Sequence, residues 1–113
     1  MTVTIYHNPR CSKSRTTLQV LEDKGIKANV VEYLTTPPDA AELKNILKML
    51  GMSPRELLRK KEAKEAGLDD PALEGDALIA AMVANPIVIE RPIVVSGGKA
   101  KIGRPPEGVL EIL

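Results

Sequence analysis

The stretch TVTIYHNPRCSKSR, residues 2–15, joins an extended segment to the start of a helix and puts a cysteine between them. Its first five residues are rich in β-branched side chains and alternate with a period of two, and Asn-Pro follows, which predicts a strand that ends in a turn. The apolar spacing then becomes helical, and Gly25 suits a left-handed helix cap. Cys11 is therefore predicted at the N-terminal edge of a helix.

The segments on either side of this unit predict a mixed sheet. Residues 28–33 (ANVVEY) read as a second strand, and the short helical crossover favours parallel pairing with the first. Residues 93–95 and 99–103 read as an antiparallel hairpin around a Ser-Gly-Gly turn, followed by a closing helix through residues 109–113. The order β-α-β, insert, β-β-α predicts an α/β protein with a thioredoxin-like fold, residues 1–113 forming one domain.

The insert, residues 37–85, is predicted to be helical. Thr36 is expected to cap its first helix, with Pro37 at the first helical position. A capping box that begins at Ser53 predicts a short second helix. Residues 60–75 contain two glycines and a proline, so we expect an irregular or weakly helical surface there. A further helix is predicted over residues 76–84.

Composition limits the classes of function. The 113 residues carry 16 basic and 15 acidic side chains, and the two tyrosines are the only aromatic residues. A net charge near zero and so little aromatic surface argue against nucleic-acid binding. We find no signal-peptide pattern and no long apolar run, and one cysteine cannot form an internal disulfide. We expect a cytoplasmic monomer that does not bind membranes.

Cys11 is the main candidate for chemistry. Backbone N–H groups and the positive end of the helix dipole favour its thiolate, and Arg15, with Arg10 and Lys13, adds positive charge. A buried, inert cysteine is the alternative, against which the polar neighbours argue. In the Cys-x-x-Ser pattern Ser14 replaces a second thiol, so an oxidised Cys11 would need an outside thiol such as glutathione.

His7, the only histidine, precedes Cys11 by four residues. As an imidazolium it would lower the pKa of Cys11, and as a neutral ring it would mainly orient the loop; the sequence leaves both roles open. One cysteine and one histidine do not make a tetrahedral metal site, so we predict no metal.

Three arginines at element boundaries are candidates for binding an oxyanion. The Cys-x5-Arg loop of cysteine phosphatases is excluded, because Thr17 occupies the arginine position. In a thioredoxin-like fold, Pro92 is the candidate cis proline, which would bring Arg91 next to Cys11. Arg104 could approach from the same side, and Arg59 lies at a helix end.

Taken together, these motifs resemble the glutaredoxin-coupled arsenate reductases of the ArsC type. The resemblance covers nearly the whole chain and rests on YHNPRCSKSR, YLTTPP, LLRKKEAKEAGLDD, NPIVIERPIVV and GRPPEGVLEIL. It implies that Cys11 attacks arsenate, that His7 supports the environment of the thiolate, and that Arg59, Arg91 and Arg104 hold the oxyanion. From their positions next to Cys11, we also count Ser14 and Arg15 among the catalytic candidates. Glutathione would be the co-substrate and glutaredoxin the protein partner, with no bound cofactor.

Two neighbouring groups of proteins give alternatives. Spx-type regulators share the fold and bind RNA polymerase, but they commonly carry Cys-x-x-Cys, whereas Ser14 stands here. YffB-like relatives resemble general glutathione-dependent thiol oxidoreductases and often lack part of the arginine set. Because all three arginines match, the arsenate reductase is the favoured hypothesis.

Overall fold

The computed structural model describes residues 2–113, which form a four-stranded sheet, four α-helices and three 3-10 turns. The strands are β1 (Val3–His7), β2 (Asn29–Glu32), β3 (Ile93–Ser96) and β4 (Lys99–Ile102). The helices are α1 (Ser12–Asp23), α2 (Ala40–Leu50), α3 (Lys60–Glu65) and α4 (Gly75–Ala84). The 3-10 turns span Arg55–Leu57, Pro86–Val88 and Pro106–Ile112. The chain contacts divide into two compact units, of which one is the chain up to Thr36 with Arg91–Leu113 and the other is Pro37–Glu90.

The sheet belongs to the first unit and has the strand order β2-β1-β3-β4. β1 pairs with β2 in parallel and with β3 antiparallel, and β3 pairs antiparallel with β4. The predicted α/β class and strand directions are confirmed. The core of this unit is aliphatic, consisting of Val3, Ile5, Leu21, Val94 and Val109. Side chains from β1, α1, β3 and the last 3-10 turn thus meet in one cluster and fix the helix that carries Cys11.

The hairpin β3-β4 turns as predicted. Gly97 and Gly98 both have positive φ, at 55° and 80°, which the tight turn between right-twisted strands requires. Two peptide bonds flanking the hairpin are cis, Arg91-Pro92 and Arg104-Pro105. The sequence had indicated the first of these and not the second.

The second unit is helical. Its buried side chains come from each of its helices and from the short turns between them: Leu43, Ile46, Leu47, Leu57, Ala63, Leu78, Ile79, Met82 and Val88. An antiparallel bridge pairs Leu58, just before α3, with Ile89, near the end of the unit. The predicted capping box is present, since the Ser53 N–H donates to Glu56 Oε1 at 2.9 Å and the Glu56 N–H to Ser53 Oγ at 3.3 Å.

The predicted start of the first helix in this unit is wrong. The cap of α2 is Asp39 and not Thr36, because the residue before a proline avoids helical dihedrals, which keeps Pro37 before Pro38 out of the helix. The Asp39 carboxylate accepts the Glu42 N–H at 2.8 Å. Residues 60–65 form a short helix, α3, on which Ala63 is buried, whereas residues 66–74 contain no helix or strand, so the expectation of an irregular or weakly helical segment holds for residues 60–74.

Within residues 2–113, no helix combines the length and the apolar character that a membrane crossing demands.

Candidate active site

Cys11 is the N-cap residue of α1, in an extended conformation, and its side chain is half-buried. Asn8 builds the loop that holds it. The Asn8 carbonyl accepts the Cys11 N–H at 3.0 Å, and its side-chain Oδ1 accepts the Arg10 N–H at 3.0 Å. The Asn8 N–H in turn donates to Ser14 Oγ at 3.0 Å. Asn8, which is nearly buried, therefore holds the loop through two backbone bonds and one side-chain bond, a role that the sequence analysis missed.

The pKa of the Cys11 thiol is lowered. Partial burial raises it, but this is outweighed by the Ser14 N–H, the Arg91 guanidinium and the Lys13 N–H, which all favour the thiolate. Arg91 acts both through a hydrogen bond to the sulfur and through its charge. The two backbone donors belong to the first turn of α1, where N–H groups have no partner within the helix. The structure thus gives Cys11 the environment of an activated nucleophile.

Two of the three predicted oxyanion ligands lie at Cys11. Arg104 Nη2 lies 3.7 Å from Cys11 Sγ, and Arg104 Nε donates to the Arg91 carbonyl at 3.0 Å. Arg91 is buried, at 8% exposure, whereas Arg104 is exposed. A buried and an exposed guanidinium therefore converge on one sulfur atom.

Gly103 sets the position of Arg104. The Gly103 N–H donates to the Pro92 carbonyl at 2.9 Å. A Cβ at residue 103 would lie 2.7 Å from Pro92 Cγ and would also overlap the side chain of Thr17. Only glycine lets the end of β4 pass this close to α1 and to the cis proline, and Arg104 follows directly. No sequence pattern indicated this close approach.

His7 and Ser14 form a buried pair behind the loop. His7 is 6% exposed and Ser14 is fully buried, with Ser14 Oγ 2.7 Å from His7 Nδ1. Burial lowers the pKa of His7, Glu32 raises it and Arg15 lowers it, with a net decrease. The ring is therefore neutral near pH 7. Because a buried hydroxyl proton needs an acceptor, we assign Nδ1 as the acceptor and place the ring proton on Nε2.

The remaining cations near the loop have separate roles. Arg15 Nη1 donates to the Pro9 carbonyl at 2.9 Å, so its side chain closes the turn. The sequence analysis expected Arg15 to favour the thiolate. In the structure, the groups that lower the pKa of Cys11 are the N–H groups of Ser14 and Lys13 and the Arg91 guanidinium. The side chains of Arg10 and Lys13 are exposed.

Arg59 belongs to the helical unit, where it is the N-cap residue of α3. Its guanidinium pairs with Glu62 at 3.0 Å through Nε and with Glu90 at 2.9 Å through Nη1. Burial lowers its pKa, but the two carboxylates raise it by more. A guanidinium has more N–H donors than these two bonds use, so Arg59 retains donors for a third acceptor.

The Cys11 thiolate, a nucleophile, lies beside the guanidinium groups of Arg91 and Arg104, which can donate hydrogen bonds to an anion. Planar guanidinium groups suit tetrahedral oxyanions, and a thiolate beside them can attack a central atom whose oxygens they hold. Over residues 2–113, no group of three or more His, Cys, Asp and Glu side chains is placed to hold a metal ion.

A four-stranded mixed sheet, one activated cysteine at the N-terminus of the first helix and a cis proline just before β3 together define a thioredoxin-like protein with a single activated thiol. The family model described as the ArsC family matches residues 6–112. The chain therefore belongs to the ArsC family.

Individual relatives agree with this assignment. The chain is 61% identical to the uncharacterized protein YfgD of Escherichia coli (strain K12), over 98% of this chain and 96% of that one. It is 52% identical to an arsenate reductase of Neisseria meningitidis, over 98% of this chain and 97% of that one. A solved structure of an arsenate reductase from Vibrio cholerae superimposes with a TM-score of 0.95 at 54% identity, covering 100% of this chain and 98% of that one.

Proposed function

We propose that this protein reduces arsenate to arsenite, with Cys11 as the nucleophile. The observation that carries the proposal is the convergence of Arg91 and Arg104 on the Cys11 sulfur, whose pKa is lowered. Relatives named arsenate reductases, at about half identity over nearly the full length, support the choice of oxyanion.

In the first step the Cys11 thiolate attacks the arsenic atom of arsenate. An S–As bond forms and one arsenate oxygen leaves as water after taking up protons. Arg91 and Arg104 stabilise the negative charge on the remaining oxygens during this exchange. The role of Arg59 as a third ligand of the oxyanion stays a prediction from the resemblance, and its pairs with Glu62 and Glu90 leave some of its N–H donors unused.

In the second step a glutathione thiolate attacks the Cys11 sulfur. The electron pair of the S–As bond stays with arsenic, so As(V) becomes As(III) and arsenite leaves. Two thiolates are oxidised to a Cys11–glutathione disulfide, which balances the two electrons. Because the chain has no second cysteine, glutaredoxin would then remove the glutathione by thiol–disulfide exchange.

The test is arsenate-dependent NADPH oxidation in an assay coupled to glutathione, glutaredoxin and glutathione reductase. Turnover should be present in the wild type and absent in Cys11→Ser. Arg104→Ala should lower kcat/KM for arsenate by about 100-fold, as expected for loss of one donor to a developing oxyanion. Lys99→Ala, which removes another exposed cation from the same hairpin, is the matched control and should change little.

The same assay can contradict the proposal. If the wild type shows no arsenate turnover but reduces a glutathionylated peptide through Cys11, the protein is a general thiol oxidoreductase. Equal activity of Arg104→Ala and Lys99→Ala would exclude an arginine site for arsenate.

A further inference from the structure

We propose that a cavity beside the active-site loop binds the zwitterionic γ-glutamyl end of glutathione. This inference rests on the proposed function, because it assigns a place to that reaction's co-substrate. The cavity measures about 350 Å³ and lies within the first unit. Its walls are the turn after β1, including Asn8 and Arg10, and the turn after β2, including Leu34 and Thr35, with His7 and Glu32 at the strand ends.

The cavity is in the place where open α/β sheets bind small molecules. β1 and β2 run in parallel, and their last residues, His7 and Glu32, are paired neighbours. Ligands of such sheets bind in the crevice outside the carboxyl ends of parallel strands. Cys11 lies at the same edge, one residue after Arg10 or about 3.8 Å along the chain. A tripeptide anchored by its amino-acid end at Arg10 would have its own thiol within reach of Cys11.

Both walls of the cavity are fixed before any ligand arrives. On the β1 side, the Arg10 N–H donates to Asn8 Oδ1 at 3.0 Å. On the β2 side, the N–H groups of Thr35 and Thr36 both donate to the Glu32 carbonyl at 3.0 Å. Preformed walls reduce the conformational entropy lost on binding.

Two charged side chains that line the cavity match the ammonium and carboxylate groups of an amino acid. Arg10 and Glu32 have opposite charge, and neither side chain has an ion-pair or hydrogen-bond partner within residues 2–113. Glu32 can accept from an ammonium group and Arg10 can bind a carboxylate. A simple anion would gain from Arg10 but would be opposed by Glu32, so the pair selects a zwitterion.

His7, which lines the cavity, contributes a hydrogen-bond donor. Its Nδ1 is held by Ser14, which leaves Nε2 as the ring nitrogen for a ligand. With the ring neutral, Nε2 carries the proton and can donate to the same carboxylate as Arg10. The γ-glutamyl end of glutathione has both an α-ammonium and an α-carboxylate and fits this donor and acceptor set.

The experiment uses S-methylglutathione, whose blocked thiol cannot react, titrated into the ¹⁵N-labelled full-length protein. We expect amide shift changes in residues 8–10 and 32–35. Glu32→Gln and Arg10→Gln should each raise Kd by about five-fold, the range of an exposed charge pair. Glu22→Gln and Lys24→Gln, at the far end of α1, are the matched controls and should leave Kd unchanged.

Three results would overturn the inference: no binding at millimolar concentrations, shift changes only around residues 91–94 and 103–104, or an unchanged Kd in both cavity variants. An N-acetylated S-methylglutathione lacks the ammonium charge and should bind wild type and Glu32→Gln equally. Arsenate takes no part in this titration. A protein that binds S-methylglutathione in the cavity but does not turn over arsenate would therefore overturn the proposed function alone.

Discussion

At the residue scale, the protonation of Cys11 is the property on which the chemistry depends. Partial burial acts against the thiolate, and three donors that surround the sulfur outweigh it. We expect the rate of alkylation by iodoacetamide, followed against pH, to give a pKa below the free-thiol value of about 8.5. Arg91→Gln should move the midpoint upward, since the hydrogen bond and the charge that its guanidinium supplies to the sulfur are lost. A midpoint at or above the value of the chain in denaturing urea would contradict the activated thiolate.

The lowered pKa of Cys11 also predicts the direction in which stability changes with pH. Cys11 is an acid whose pKa is lower in the folded than in the unfolded state. Its contribution to the free energy of unfolding is therefore present above the unfolded pKa and is lost as pH falls through the folded pKa. Cys11→Ser should remove this part of the pH dependence of the urea midpoint, and an unchanged dependence would contradict it.

The pair of His7 and Ser14 makes a second prediction at this scale. Ser14→Ala leaves a buried imidazole nitrogen and the Asn8 N–H without the hydroxyl that serves both. The free energy of unfolding should fall by about 1–3 kcal/mol, the cost of unsatisfied buried polar groups. Urea denaturation measures this. Ser12→Ala, on the same turn of α1 but exposed, is the control, and equal losses in the two variants would rule out the buried pair.

Single residues were predictable from sequence where a local rule applies to them. The position of Cys11 follows from a strand, a turn and a helix start in succession. That Arg91 and Arg104 would approach it required the fold as an intermediate, because they lie 80 or more positions away in the chain. The three loop bonds of Asn8 were not predictable, since an Asn-Pro pair indicates a turn without indicating what its side chain contacts.

At the element scale, the start of α2 gives a clean test. Asp39→Ala removes the bond to the Glu42 N–H, and the free energy of unfolding should fall by about 1 kcal/mol. Asp39→Asn keeps an acceptor and should stay within a few tenths of the wild type. If both variants lose the same stability, the carboxylate is not acting as a cap.

The close approach of β4 to α1 gives a second test at the element scale. Gly103→Ala would force a methyl group against Pro92 and Thr17, and overpacking of this kind costs about 1–3 kcal/mol. Because Gly103 contacts Pro92, which directly follows Arg91, we also expect a higher pKa for Cys11 by alkylation. Gly108→Ala is the control, since its Cβ would meet Lys101 Cε at an ordinary 3.6 Å. A Gly103→Ala variant with unchanged stability and unchanged pKa would contradict this account.

Strands and amphipathic helices were predicted well because their periodicity is a local property. Helix starts were less predictable, since Thr36 and Asp39 both suit a cap, and consecutive prolines decided between them. α3 was expected to be irregular or weakly helical because its sequence is polar. Its Lys, Glu and Ala residues have high helix propensity, and the burial of Ala63 adds a tertiary contact that the sequence did not indicate.

At the scale of the whole molecule, the organisation as one domain stays a prediction that unfolding can test. Each unit has fewer than about 60 residues, a size at which an isolated fold is marginal, so we expect one cooperative transition. Tyr6 and Tyr33, the only aromatic residues, both lie in the first unit, so their fluorescence reports on it alone. Far-UV circular dichroism is dominated by helices, three of which belong to the second. Coincident urea transitions would support one domain, and separated transitions would contradict it.

The presence of a single cysteine also determines how the protein would respond to oxidation. Peroxide converts an exposed thiolate to a sulfenic acid, which an adjacent cysteine would normally capture as a disulfide. Here Ser14 stands at that position and turns its hydroxyl towards His7. Without an external thiol, the sulfenic acid can proceed to sulfinic and sulfonic acids, which glutathione does not reverse. Survival under oxidative stress would thus depend on the surrounding thiol pool and not on the protein itself.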